Sequence, residues 1–309
     1  MSELDLLAAV LAATLRAGTP LVLAALGELV TEKSGVLNLG VEGMMLMGAV
    51  AGFIAAAASG DLALGIAAAL LAGMAMALLF GVLALTLQAN QVATGLALSI
   101  FGTGLSAFLG RGYVDATLGG VTPLAIPGLA QVPLLGPVLF DQDILVYASV
   151  ILLVAVHRFL ARSRFGLVLR AAGESPDAAH ALGYPVIRIR YCAVMFGGAM
   201  SGLAGAYLSL AYTPMWTENM SAGRGWIALA LVVFATWKPL RVLLGAYIFG
   251  GVSILQLNIQ GAGFAFPPDL LATLPYLATI VVLVLISRDV RRIRLNAPAA
   301  LGKPFRPQT

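Results

Sequence analysis

Charged side chains are scarce in this chain, and their scarcity decides its class. Asp, Glu, Lys and Arg make up 10% of the 309 residues, whereas hydrophobic residues make up 60%. A soluble domain carries about 25% charged residues, which it needs to cover a water-facing surface. The chain is therefore predicted to be an all-α polytopic membrane protein that forms a single transmembrane domain over residues 1–309.

Residues that carry catalysis or bind metals are also few. One cysteine, Cys192, excludes an intramolecular disulfide and a cysteine-rich metal site, and two histidines at unrelated places argue against a histidine site. The chain has no HExxH motif, no GxxxxGK[ST] loop and no serine–histidine pair on neighbouring predicted spans. We expect no catalytic residue, no metal, no bound cofactor and no ATP hydrolysis by this chain. Its net charge of +4 does not indicate nucleic acid, because the basic residues flank predicted spans.

Apolar runs of about 20 residues, the length a helix needs to cross a bilayer, recur along the chain. They cover residues 34–58, 62–87, 92–110, 144–160, 191–212, 242–258 and 270–286. Residues 226–237 are apolar but short for a crossing, so we expect a broken, tilted or protein-surrounded helix there.

The N-terminal piece is less regular. Residues 4–15 predict an amphipathic or half-embedded helix, and Pro20 is expected to begin the piece that follows. Glu28, Glu32 and Lys33 are interpreted as an aqueous edge. Depending on this piece, the total is about eight or nine crossings.

Basic residues form two clusters that set the orientation. The first surrounds the loop 161–190 and contains Arg158, Arg162, Arg164, Arg170, Arg188 and Arg190. The second lies in the tail 288–309 and contains Arg288, Arg291, Arg292, Arg294, Lys303 and Arg306. The positive-inside rule places both in the cytoplasm, and the loop 112–143, which has no Lys or Arg, outside.

The middle of the first cluster predicts two short capped helices. Residues 166–172 have a helical pattern, and Gly173 stands where a C-terminal glycine would end that helix. Residues 175–177, Ser-Pro-Asp, supply an N-cap, a proline at the first helical position and an acid at the positive end of the dipole. Gly183 ends the second helix. Such a rigid loop is suited to contact another protein.

Four polar residues within or beside predicted spans are candidates for the pathway: Asn38, Glu42, Asn90 and Thr94. Glu42 is the one carboxylate well within an apolar span, where ionisable residues are costly and functional by default. It either caps a helix inside the bundle, since Gly40 and Gly43 allow a broken helix, or contacts substrate. Asn38 either hydrogen-bonds between helices or binds a ligand. Residues 90–94 form either a turn with its helix cap or a polar part of the translocation pathway.

The polar hairpin 213–225 lies outside in this topology. Its candidate contacts with an extracytoplasmic partner are Trp216, Glu218 and Asn219. Interfacial anchoring is the alternative, and for Trp216 and Trp226 we favour the aromatic belt over a ring stacked on substrate.

Four stretches in this order resemble the permease subunits of bacterial ABC importers for nucleosides and simple sugars, within the branched-chain amino acid/ribose-type permease family. They are residues 27–49, with E-K-S-G-V-L-N-L-G-V-E-G at 32–43 as the most specific part, 169–183, 202–210 and 223–239. The resemblance covers nearly the whole chain and is closest to the purine nucleoside branch. At residues 235–236, Ala-Thr, the chain departs from the glycine expected before the tryptophan.

The resemblance implies the rest of the assembly. A second homologous permease would complete the pathway, a cytoplasmic subunit would bind ATP and Mg, and an extracytoplasmic solute-binding protein or lipoprotein would deliver solute at the bacterial inner (plasma) membrane. The loop 169–183 would dock on the ATPase. The residues carried over for this coupling role are Arg170, Ala171, Gly173, Glu174, Pro176, Asp177, Ala178, Ala179 and Gly183.

Other functions stay open. The substrate is a nucleoside, or alternatively a simple sugar such as ribose. An ion-coupled secondary transporter would need buried ionisable groups, of which Glu42 alone qualifies by sequence. A channel or membrane scaffold would not need a rigid, capped cytoplasmic loop.

Overall fold

The computed structural model describes residues 3–114, 116–261 and 296–306, together with isolated positions between 270 and 284. This part of the chain is mostly helical, with one short pair of strands, which confirms the all-α prediction. Within it, seven helical segments are long and apolar enough to cross a membrane: Leu4–Lys33, Val41–Ser59, Leu62–Thr86, Gln91–Tyr113, Ile144–Arg162, Val186–Tyr212 and Pro239–Gly261. The predicted crossing at 270–286, apart from isolated positions, and the arginines at 288–294 lie outside the described residues.

The described helices are named in chain order. They are α1 (Glu3–Lys33), α2 (Val41–Ser59), α3 (Leu62–Gly81), α4 (Gln91–Gly110), α5 (Ile144–Arg162), α6 (Arg164–Glu174), α7 (Pro176–Ala181), α8 (Val186–Ala206), α9 (Arg224–Phe234) and α10 (Pro239–Gly261). π-helical turns extend α3 over Val82–Thr86 and α8 over Tyr207–Tyr212. In the outer loop, β1 (Leu124–Ala125) pairs antiparallel with β2 (Asp141–Gln142), with Leu124 opposite Gln142.

The N-terminal piece is one continuous helix, so the prediction of a separate helix before Pro20 was wrong. Proline removes one backbone donor and normally breaks a helix interior. Here α1 is buried without interruption over residues 17–32, mainly by α8 and α10. Thr19 Oγ1, beside the proline, donates to the carbonyl of Leu15 over 2.9 Å. The surrounding helices therefore stabilise a conformation that the local sequence disfavours.

Helix α8 forms the centre of the bundle and packs against α1, α2 and α3. Of its most apolar 18-residue window, 83% is buried, more than in any other candidate span described. The contacts are close because glycines face each other: a Cβ on Gly73 would lie 2.1 Å from the carbonyl oxygen of Gly198. Small residues at such crossings let helix backbones approach and gain van der Waals contact in lipid.

Helix α9 has 11 residues and is about 16 Å long. It is too short to cross a bilayer, as its sequence predicted. Its two ends meet the region where α1 passes into α2, and these contacts are part of the candidate site.

Candidate functional site

The loop 161–190 contains the two capped helices that its sequence predicts. Ser163 begins α6, and its Oγ accepts from the amide of Gly166 over 2.8 Å. Ser175 begins α7, with Pro176 in the first turn, and its Oγ accepts from the amide of Ala178 at 3.4 Å. Gly183 follows α7 with a left-handed φ of +86°. Both helices therefore have defined ends, and the loop has a fixed shape.

Gly173 does not end α6, and that part of the prediction was wrong. It lies inside the helix, which runs to Glu174, and it is buried. A Cβ at this position would lie 2.2 Å from the backbone carbonyl oxygen of Lys33. Gly173 is thus the point at which α6 packs directly on the end of α1.

The chain between α1 and α2, residues 34–40, is non-helical and largely buried. Buried backbone polar groups must find partners, and here several come from side chains on other parts of the chain. These contacts are Asn38 N to Glu28 Oε1 (3.1 Å), Leu37 N to Gln91 Oε1 (2.9 Å), Ser99 Oγ to Leu39 O (2.8 Å) and Arg190 Nε to Ser34 O (3.2 Å). The stretch 32–43, the most specific part of the family resemblance, therefore contains a buried break between two helices. Hydrogen bonds hold this break to other parts of the chain.

Glu42 lies in the first turn of α2 and is 5% exposed. Its Oε1 accepts from Ser221 Oγ at 2.5 Å and from the amide of Gly223 at 2.9 Å, and its Oε2 accepts from the amide of Gly225 at 2.6 Å. The carboxylate therefore caps the N-terminus of α9, where free amides and the positive end of the helix dipole favour a negative charge. Of the two predicted roles, this geometry fits the cap.

The other end of α9 meets α1. Trp237 Nε1 donates to Glu32 Oε2 over 2.5 Å, and Glu32 is 1% exposed. The prediction that Glu28 and Glu32 mark an aqueous edge was wrong, because both are buried beneath the 34–40 segment and α9. Thr236 and Trp237 have left-handed φ values of +50° and +53°, the conformation that glycine adopts without strain. The Ala-Thr at residues 235–236, where the family resemblance predicts a glycine, therefore lies in a turn that is suited to glycine.

Part of the predicted basic tail covers α6 and α7. In the 296–306 segment, the amide of Ala300 donates to Gly173 O at 2.9 Å, and the amide of Gly302 donates to Gly35 O at 3.1 Å. Phe305 is 7% exposed and packs in a small apolar cluster. The other buried members of that cluster are Ala172, Ala179 and Val186.

The nine residues that the family resemblance assigns to coupling differ in solvent exposure. Five are exposed and accessible to another subunit: Ala171, Glu174, Asp177, Ala178 and Gly183. Gly173 and Ala179 are buried in contacts within the chain, and Arg170 and Pro176 are half-buried. Buried members of the motif therefore hold the helices in place, while exposed members form the surface.

The remaining pathway and hairpin candidates do not converge with Glu42. Asn90 is the exposed N-cap of α4, its Oδ1 accepting from the amide of Ala93 at 3.0 Å, and Thr94 is buried one turn later. Glu218 and Asn219 are exposed on the outer hairpin. Trp216, by contrast, is 0% exposed. It packs directly against Gly110, so both the interfacial-belt and the partner-contact predictions were wrong for its ring.

A cavity of about 450 Å³ with four polar residues in its lining lies beside the 112–143 loop and was not anticipated from sequence. Arg16, Asp141, Asp143 and Tyr212 line it, together with apolar residues of α1, α10 and the outer loop. Arg16 Nε donates to Gln142 Oε1 at 2.9 Å. The sequence signal was Arg16 itself, an isolated cation between apolar runs.

Comparison with known proteins bears on the whole chain. The family described as branched-chain amino acid transport system / permease component matches residues 10–286. The putative glucose ABC transporter permease protein TsgC13 of Haloferax volcanii is 41% identical, over 96% of this chain and 97% of the relative. The guanosine ABC transporter permease protein NupQ of Bacillus subtilis is 33% identical, over 99% and 98%. The nucleoside ABC transporter permease protein NupC of Lactococcus lactis subsp. cremoris is 28% identical, over 92% and 94%.

Proposed function

Because the chain belongs to the branched-chain amino acid transport system permease family, we propose that it forms half of the pathway of an ATP-driven importer for nucleosides, with purine nucleosides as the first candidates. It is a multi-pass permease component of an ABC transporter. The observation that carries the nucleoside proposal is its end-to-end similarity to a guanosine permease, which covers 99% of this chain. A second permease subunit, an ATP-binding subunit and a solute-binding protein complete the proposed complex.

The coupling element is the α6–α7 loop. Exposed Glu174, Asp177 and Ala178 would contact the ATPase, since charge-assisted contacts orient such surfaces. Movement would pass inward at Gly173, where α6 lies against the end of α1 with no side chain between them. A capped, closely packed element can transmit a rigid-body displacement, which a flexible loop cannot.

The displacement would then reach α9 through its two acidic contacts. Glu32 holds the turn after α9, and Glu42 holds its first turn. Both carboxylates flank the 34–40 segment, which α6 and the 296–306 segment contact from the cytoplasmic side. Helix α9 is therefore the proposed moving element, and Glu42 acts as its anchor rather than as a ligand of the solute.

Solute entry is assigned to the outer cavity. Arg16, Asp141 and Tyr212 carry donors and acceptors for the hydroxyl groups of a ribose or hexose ring, whereas both oxygens of Asp143 already accept hydrogen bonds within the chain. This chemistry suits both nucleosides and sugars. A simple sugar is the second candidate, favoured by the 41% identity to the putative glucose permease.

Uptake by the reconstituted complex tests the proposal. Radiolabelled guanosine is added outside proteoliposomes containing ATP, and unlabelled nucleosides, free bases, ribose, glucose and leucine compete. The proposal expects ATP-dependent uptake with competition by nucleosides. Competition by glucose or ribose alone would establish the second candidate, and uptake driven by an ion gradient without ATP would contradict both.

A further inference from the structure

A second cavity, of about 520 Å³, opens on the side that the positive-inside rule assigns to the cytoplasm. It lies between the ends of α1 and α5, helix α6 and the first turn of α10. Four cationic side chains line it: Lys33, Arg170, Lys238 and Arg241. Among the described residues that line it, none is a carboxylate.

Of the described carboxylates, Glu174 and Glu32 interact with the charge of Lys33, but neither lines the cavity, and the four lining cations outnumber them. Lys33 Nζ donates to the carbonyl oxygen of Asn296 at 2.7 Å, and Arg241 Nη1 donates to Thr236 Oγ1 at 2.7 Å. Both acceptors are neutral. Arg170 Nε is buried and has no hydrogen-bond partner within the described residues. A buried donor without a partner is costly, so this cluster favours a bound anion.

An apolar groove of about 270 Å³ lies next to the cavity, and Arg241 lines both. The groove runs between α9 and α10 over Phe234, Leu244 and Ile248, among others. Leu244 is 63% exposed, on the surface of a membrane-spanning helix. The same arginine therefore joins a cationic pocket to a surface suited to a hydrocarbon chain.

We propose that the cavity and groove together bind one anionic phospholipid of the cytoplasmic leaflet. Its phosphate group contacts the cations, and an acyl chain lies along α10. Each lysine or arginine near an anionic membrane surface contributes enough to change binding about fivefold. A soluble phosphate would occupy the cavity alone and would leave the groove without a role. The bound lipid would bridge the end of α1, α6 and the turn after α9.

The test titrates the purified full chain with phosphatidylglycerol or phosphatidylcholine in detergent and counts retained lipids by native mass spectrometry. Wild type is expected to retain phosphatidylglycerol at least tenfold more tightly than phosphatidylcholine. Lys238→Gln should weaken that retention about fivefold. Arg158→Gln is the matched control, because Arg158 is an exposed cation at the end of α5 that does not line the cavity.

Two further measurements distinguish a bound phospholipid from a soluble phosphate compound. Leu244→Ser should weaken binding of both lipids while keeping the preference for phosphatidylglycerol, and glycerol 3-phosphate should compete poorly. Thermal melts near the wild-type value show that the variants fold. The proposal is overturned if Lys238→Gln binds like wild type, if the two lipids bind equally, or if glycerol 3-phosphate competes as well as the lipid. It is also overturned if Lys238→Gln weakens only co-purification with the ATPase.

Discussion

Gly173→Ala is the change that most directly tests how α6 is coupled to the membrane helices. The new Cβ would lie 2.2 Å from the carbonyl oxygen of Lys33. Ordinary carbon–oxygen contacts begin at about 3.3 Å, so α6 or the end of α1 must move by about 1 Å. The obstructing atom belongs to the backbone, and the 296–306 segment fixes Gly173 from another direction through Ala300. A small rotamer change cannot relieve the clash.

The expected change in the free energy that seats α6 on α1 is the difference between a packing cost and a gain in helix propensity. Overpacking a tight contact costs about 1–3 kcal/mol, whereas replacing glycine by alanine inside a helix gains up to about 1 kcal/mol. With the full helix gain, the net loss is up to about 2 kcal/mol, which corresponds to a change of up to about 30-fold in the ratio of seated to displaced α6. We expect uptake by the complex to fall severalfold, because the clash displaces α6 from its contact with the end of α1. The ATPase should still co-purify, since the exposed face of α6–α7 is unchanged.

Gly104→Ala is the matched control. Gly104 also lies inside a helix, α4, but a Cβ there meets no atom within 4 Å. This variant should transport like wild type and melt at the same temperature or slightly higher. If Gly173→Ala and Gly104→Ala give equal uptake, direct α6–α1 packing does not transmit the ATPase movement, and the coupling assignment fails.

Three further changes test the ends of α9 by thermal melts of the purified chain and by uptake. Glu42→Gln places an amide N–H₂ against donors, so it should destabilise the chain by about 1–3 kcal/mol and impair uptake more than complex assembly. Glu218→Gln on the exposed hairpin is its control for the melts alone, and equal loss of uptake and assembly would indicate a purely structural cap. Thr236→Gly should be more stable than Thr236→Ala by about 1 kcal/mol, because both lose the hydroxyl and glycine alone relieves the left-handed strain; equal melts would contradict that strain. Trp237→Phe leaves a buried oxygen of Glu32 without its donor and should cost about 1–3 kcal/mol, whereas the partly exposed Trp226→Phe should be nearly neutral; similar losses would mean that ring packing dominates.

The features that the sequence predicts well are those set by local chemistry. Apolar run length predicts the spans, because a bilayer crossing demands it. Ser175, Pro176 and Gly183 predict the limits of α7, because caps act within one turn of the helix. The shortness of α9 follows from the same counting of apolar residues.

The errors concern residues whose role depends on a distant part of the chain. Gly173 has the pattern of a helix end, yet its position is set by Lys33, 140 positions earlier in the printed sequence. Glu32 reads as a surface residue until Trp237 is placed beside it. Pro20 stays inside a helix because α8 and α10 enclose it. Each requires knowledge of tertiary contacts, which override local preference.

Glu28 and Glu42 are buried carboxyl groups that contact the chain's own backbone. Glu28 accepts a backbone amide of the 34–40 segment, and Glu42 accepts two amides and a hydroxyl at the start of α9. Non-helical backbone at membrane depth needs such partners, since no water replaces them. A carboxylate in a predicted span therefore indicates an interrupted helix as readily as it indicates a binding site for a coupling ion. Four described carboxylates are buried. Glu28, Glu32 and Glu42 lie at the 34–40 segment or at the ends of α9, and Asp143 caps α5. Each has a structural partner, so their burial does not argue for ion-driven transport.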